Sequence, residues 1–159
     1  FTVSSWFNLI ANRKDPEADF DWLQYEDYGM DLYSNGMMVS QALLAENPEA
    51  VAGLVRAVTR ATMEITKDQD IAVKAIMAYD NLVDPDLERA RLEFALTKLM
   101  NAPETAQTGI GDLVDERLTR SIAIIAEGYE LENLPLASDI FDRSFLPPVE
   151  VRTFEVTIN

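Results

Sequence analysis

Carboxylates are the one reactive side chain present here in number. Asp84 with Asp86, Asp112 with Asp115 and Glu116, and Glu130 with Glu132 form close groups. A carboxylate pair can serve as general acid and base only where one member is desolvated enough to hold a proton near neutral pH. These groups stand instead where helices are expected to start or end, and acidic side chains there complement a helix dipole or face water. Asp68-Gln69-Asp70 begins like a calcium loop but lacks the Gly and the later Glu that such a loop requires. The chain contains no His and no Cys. The commonest general base, the commonest transition-metal ligand, thiolate nucleophiles and disulfides are therefore all missing. No phosphate-binding loop, dinucleotide fingerprint or nucleophile elbow is present. The expectation is a protein that is not an enzyme and uses neither metal nor cofactor.

Binding is the chemistry that remains. Trp6, with Ser4, Ser5 and Asn8 beside it, offers a large flat ring among small hydroxyl and amide groups, a set suited to a planar or anionic small molecule. Residues 1–3 read as the end of a strand and Ser4-Ser5-Trp6 as the turn leaving it, the place where open α/β sheets deliver ligand contacts. The competing reading makes Trp6 a core residue. Met37, Met38, Tyr25, Tyr28 and Tyr33 could line a ligand box, but packing around a hinge is the better explanation for most of them.

The elements that must position these residues follow from spacing and punctuation. A helix begins near Phe7 and stops before Asp15-Pro16, since the residue before proline disfavours helix. Residues 19–25, with Phe20, Trp22, Leu23 and Tyr25, read as a second strand. Gly29 and Gly36 punctuate an aromatic segment that leads to a short strand at residues 37–39, and Ser40 is placed to cap the helix that follows. Asn47-Pro48 opens a long helix whose stripe is Val51, Leu54, Val55, Val58, Thr62 and Ile65. Asp68 to Asp70 open a shorter one, Asp84-Pro85 another with Leu92, Ala95, Leu96 and Leu99 in line, and Asp112 caps a further helix carrying Leu118, Ile122, Ile125 and Tyr129. A helical turn is expected at residues 138–141. Residues 149–158 alternate in the manner of an edge strand.

Composition bounds the partners. At 159 residues with 48% hydrophobic side chains, the chain holds one domain's worth of core. Its 28 acidic and 13 basic residues give a net charge of −15. That field repels phosphate backbones and anionic membrane surfaces, so no nucleic acid is expected as a partner. No apolar run approaches the roughly 20 residues of a membrane span, so no direct membrane insertion is expected. The lack of Cys suits an oxidising, extracytoplasmic setting.

One ordered set of landmarks carries a resemblance. Tyr28, Gly29, Asp31, Tyr33, Asn35 and Gly36 spell a Tyr-Gly-x-Asp-x-Tyr-x-Asn-Gly phrase, followed by Leu44 to Glu49 with Asn47-Pro48, then Pro103-Glu104-Thr105, then Phe145-Leu146-Pro147. In this order they resemble the substrate-binding proteins of ABC importers for nitrate, sulfonates, taurine and thiamine-pyrimidine precursors. The landmarks belong to the C-terminal half of such proteins, and the chain opens on Phe1, so it reads as a piece of something longer.

The resemblance implies an α/β architecture: the helix-rich C-terminal portion of a two-lobed, type II periplasmic-binding-protein-like fold. Residues 1–30 would end the second lobe, residues 31–148 would form the crossover and the C-terminal helices of the first lobe, and residues 149–159 a tail. It further implies a periplasmic or otherwise extracytoplasmic solute-binding component that captures a small molecule between lobes and delivers it to the importer's permease. Tyr33, Asn35 and Gly36 would form the hinge. Pyrimidine-binding relatives place a stacking aromatic where Trp6 stands and a carboxylate four residues later. The matching position here is Ile10, or Leu9 in a register one residue shorter, and neither can bond the ring. The alternatives are an enzyme of thiamine-pyrimidine-type metabolism, whose relatives use a reactive His absent here, and a ligand-sensing domain on the same fold.

Overall fold

Side-chain caps fix the starts of the helices that open at Gln41, Pro48 and Pro85. The computed structural model describes residues 2–154. Eight α-helices are among them: α1 (Thr2–Ala11), α2 (Gln41–Glu46), α3 (Pro48–Ile65), α4 (Asp70–Tyr79), α5 (Pro85–Phe94), α6 (Thr105–Thr108), α7 (Asp115–Gly128) and α8 (Ala137–Ile140). Asn47 Oδ1 accepts the Ala50 amide at 3.1 Å and Pro48 follows at the first helical position, so α3 starts where its signals are strongest. Asp84 Oδ1 accepts the amides of Asp86 and Leu87 at 3.0 and 3.2 Å to open α5. Ser40 Oγ does the same for α2 through the Leu43 amide at 3.1 Å.

Packing runs through α5. Helices α1 and α4 lie against it, α3 lies against α4, and α2 against α3. From Ala95 to Met100 the α5 helix continues as a π-helical segment, the wider turn that proteins use sparingly. Leu96, within this segment, is completely buried, as are Thr66 and Gln69 at the α3–α4 junction. Thr66 Oγ1 donates to the Met63 carbonyl at 2.9 Å and Gln69 Nε2 to the Ile65 carbonyl at 3.1 Å, which ties these two side chains back onto the end of α3. The α3 stripe is buried only in part. Val51 is in the core, whereas Leu54 is 45% exposed and Val58 is similar. Helix α8 packs on α7, and the turn at Arg143–Phe145 packs on α3.

No β-strand is formed among the described residues, which corrects several expectations. Val3, Ser4 and Ser5 are helical rather than strand and turn. Val3, Trp6, Phe7 and Ile10 share one face at helical spacing, and docking that face on α5 outweighs the low helix propensity of two serines. Residues 19–24 are irregular and join no strand among the described residues, and the segment closes in a 3-10 turn at Tyr25–Tyr28. Residues 37–39 are irregular, with Met38 95% exposed, so the short run never finds a sheet to join. Gly29 does take the left-handed conformation (φ +83°) that ends the 3-10 turn. Gly36 does not. Val149–Val151 form a 3-10 turn instead of an edge strand, and residues 155–158 of that expected strand lie outside the described residues. Asp112 caps no helix, since α7 begins at Asp115 with Val114 before it. Among the described residues no helix is long and apolar enough to cross a membrane.

Candidate functional site

The aromatic phrase before α2 is tied into the molecule by a cluster that spans most of its length. Tyr33 is half-buried. Its hydroxyl donates to Glu104 Oε1 at 3.0 Å and accepts the Val114 amide at 2.7 Å, which places it at the N-terminal entrance of α7. The Arg117 guanidinium, from the first turn of α7, lies 4.3 Å from the centre of the Tyr33 ring. The same guanidinium pairs with Asp31 at 2.7 Å and with Glu104 at 2.8 Å, and reaches the carbonyls of Asp31 and Leu32 at 3.4 Å each. Arg120 stands 3.9 Å from the other Asp31 oxygen. Burial, more than any other cause, raises the Tyr33 phenol above its ordinary pKa. The Val114 amide opposes this, and the Glu104 carboxylate adds to it.

A second arginine closes the C-terminal end. Arg152 is 4% exposed, and its guanidinium donates to the carbonyls of Pro147 (2.7 Å), Thr108 (3.0 Å) and Ile110 (2.9 Å). Asp112 lies 3.6 Å away, and Arg143 binds that same Asp112 at 2.7 Å and Asp115 at 2.6 Å. Gly109 leaves room for this arrangement, because a Cβ there would come within 3.0 Å of Arg152 Nη1. Asp112 and Asp115, read in the sequence as helix-start acids, are thus paired with arginines. Among the described residues no group of His, Cys, Asp or Glu is arranged to hold a metal ion.

The residues singled out around Trp6 divide between two surfaces. The Trp6 ring is 5.2 Å from Trp22 and 5.6 Å from Phe94, and Phe7 meets Phe94 edge-on at 5.7 Å. Trp22 is itself anchored, its indole N–H donating to the Pro16 carbonyl at 2.7 Å. Ser4, Ser5 and Asn8 are exposed on the other side of α1. Of the three residues expected to form a hinge, Tyr33 is bound into the cluster described above, while Asn35 and Gly36 are exposed. Sequence reasoning named Asp31 and Glu104 as parts of the resemblance but passed over Arg117, Trp22 and Phe94 as partners. The partners of Arg117 at Asp31 and Leu32 lie 86 and 85 residues away, and no local pattern records such a pairing.

No curated protein and no solved structure matches the chain. Residues 4–72 match the model of the family described as NMT1/THI5 like, a family that includes substrate-binding proteins of ABC importers and thiamine-biosynthesis proteins.

Proposed function

We propose that this chain is part of an extracytoplasmic solute-binding protein that captures a small molecule between two lobes and hands it to an ABC permease, without chemical turnover. One observation carries the reading: the family match over residues 4–72 takes in both α1 and the whole crossover phrase. The described helices would then belong chiefly to one lobe, with residues 1–30 contributed to the other. Ligand contact is proposed for α1, through Ser4, Ser5 and Asn8 on its exposed side and through Trp6, whose ring packs on Trp22 and Phe94 on the opposite side. The hinge would lie in the segment containing Tyr33, Asn35 and Gly36. Lobe closure would stabilise the bound state by the difference in affinity between open and closed forms.

The test is a thermal-shift and small-angle scattering screen of the full-length protein against nitrate, taurine, alkylsulfonates and aminopyrimidines. The expected result is a raised melting temperature and a smaller radius of gyration with one of these, and no product. Trp6→Ala then separates the roles of that ring: weakened affinity at unchanged stability places it in the cleft, and lost stability at unchanged affinity places it in the α1–α5 seam. Conversion of any of these molecules, abolished by a single side-chain change, would replace the binding-protein reading with the enzymatic one.

A further inference from the structure

The crossover treated as one hinge in the sequence divides into two parts in the structure. Residues 31–33 are half-buried and bonded through Asp31, the Leu32 carbonyl and Tyr33. Residues 34–38 are exposed, and within the described residues neither backbone nor side chain of residues 34–39 forms a hydrogen bond. The boundary falls between Tyr33 and Ser34.

Arg117 is what the bonded half shares. Its planar fork carries five donors and cannot lose its charge, so one side chain can serve two carboxylates and two carbonyls while its flat face covers a ring. Lysine, a single point charge on a flexible stem, cannot reproduce that arrangement. A segment with no regular structure satisfies few of its own backbone groups; beyond the Leu32 amide, which donates to the Met30 carbonyl at 3.0 Å, it is Arg117 from α7 that reaches the Asp31 and Leu32 carbonyls.

We infer that Arg117 is the positioning residue of the crossover: it fixes residues 31–33 to α7 and the Glu104 loop, and leaves residues 34–39 as the part of the crossover free to bend. The meaning for lobe closure rests on the binding-protein reading, but the anchoring does not, and the two are separately measurable. Tyr33 then acts as a fixed post of the hinge and Gly36 lies in its moving part.

The experiment is residue-resolved 15N relaxation on this chain without ligand. In the parent, residues 31–33 should be as ordered as α7, and residues 34–38 distinctly less so. Arg117→Met should bring residues 31–33 down to the order of residues 34–38 while the α3 and α4 signals stay in place. Arg117→Lys, although it keeps the charge, should not restore them. If Arg117→Met fails to fold, Asp31→Asn, at a position more open to water, removes the pairing on the crossover side alone and should loosen residues 31–33 in the same direction. Residues 31–33 as mobile as residues 34–38 in the parent, or unchanged in order in the variants, would overturn the assignment. Ligand-induced compaction of the full-length protein tests the other reading, and can fail while the order profile stands.

Discussion

Two regions of this molecule are joined in opposite ways. Near the N-terminus, α1 and the loop after it are held to α5 by an apolar seam of Trp6, Phe7, Trp22 and Phe94, in which one hydrogen bond, from Trp22 to Pro16, fixes the geometry. Elsewhere, irregular segments are held by Arg117, Arg143 and Arg152, each binding at least one carboxylate together with backbone carbonyls. The difference follows from what each region has to offer. Helices have apolar stripes and join by area, which needs no direction. Loops have little apolar area and many unpaired carbonyls, so they join through a side chain rich in donors. With 28 acids and only 13 bases, acids outnumber cations about twofold, and pairing one cation with two acids is easily arranged.

The apolar side of this comparison should give the largest effects. Leu96→Asp places a charge at a completely buried position beside the seam, and should cost several kcal/mol in urea unfolding, or prevent folding. Leu54→Asp lies on the stripe that sequence spacing makes equally important, yet Leu54 is 45% exposed, and the cost should stay below about 1 kcal/mol. Equal losses at the two positions would mean that α3 buries its whole stripe and that the core is not centred on α5.

The arginine joints should come next. Arg152→Met leaves the Pro147, Thr108 and Ile110 carbonyls without their donor in a site closed to solvent, at an expected cost of about 2 to 3 kcal/mol. Gly109→Ala tests the same joint from the backbone. Its φ of +75° and the 3.0 Å approach to Arg152 should make it cost about 1 to 2 kcal/mol. Added salt should change neither loss much, because the joint is buried. If Gly109→Ala is neutral, the Arg152 fork tolerates displacement and is not the closure it looks to be.

How much of this could be read from the sequence depends on the range of the interaction responsible. Ser40, Asn47-Pro48 and Asp84-Pro85 marked helix starts correctly, because capping is settled within three residues. The helical turn expected near Ser138 is present as α8, and the stop before Asp15-Pro16 held for α1. Strand against helix at Val3 to Ser5 was not legible, since a short apolar run is compatible with both and the decision came from Phe94, far along the chain. The same holds for residues 19–24 and 37–39, where β-favouring residues lack any partner strand. At the candidate site, the Tyr-Gly-x-Asp-x-Tyr phrase drew attention to Asp31 and Tyr33. Their partners Glu104, Val114 and Arg117 are contributed by tertiary folding alone.

Tyr33 should give a small effect and the most specific one. Tyr33→Phe keeps the ring under Arg117 but removes the hydroxyl that accepts the Val114 amide at 2.7 Å and donates to Glu104 at 3.0 Å. A single part-buried hydrogen-bond pair of this kind is worth about 1 kcal/mol net, so the melting temperature should fall slightly while the Val114 amide exchanges severalfold faster. The pH dependence separates this from simple loosening. Burial raises the folded-state pKa of Tyr33 above its ordinary value, so the unfolded chain releases that proton at a lower pH than the folded one. The contribution is therefore fully present below the ordinary tyrosine range near about pH 10 and is lost as pH rises through the raised folded value. Ionisation would also place a phenolate beside the Glu104 carboxylate. The parent should lose stability in alkali more steeply than Tyr33→Phe, and the two curves should converge below pH 9 to a constant offset of about 1 kcal/mol. Parallel curves throughout the alkaline range would show the hydroxyl to be solvated, and would leave the Arg117 fork alone in holding the crossover.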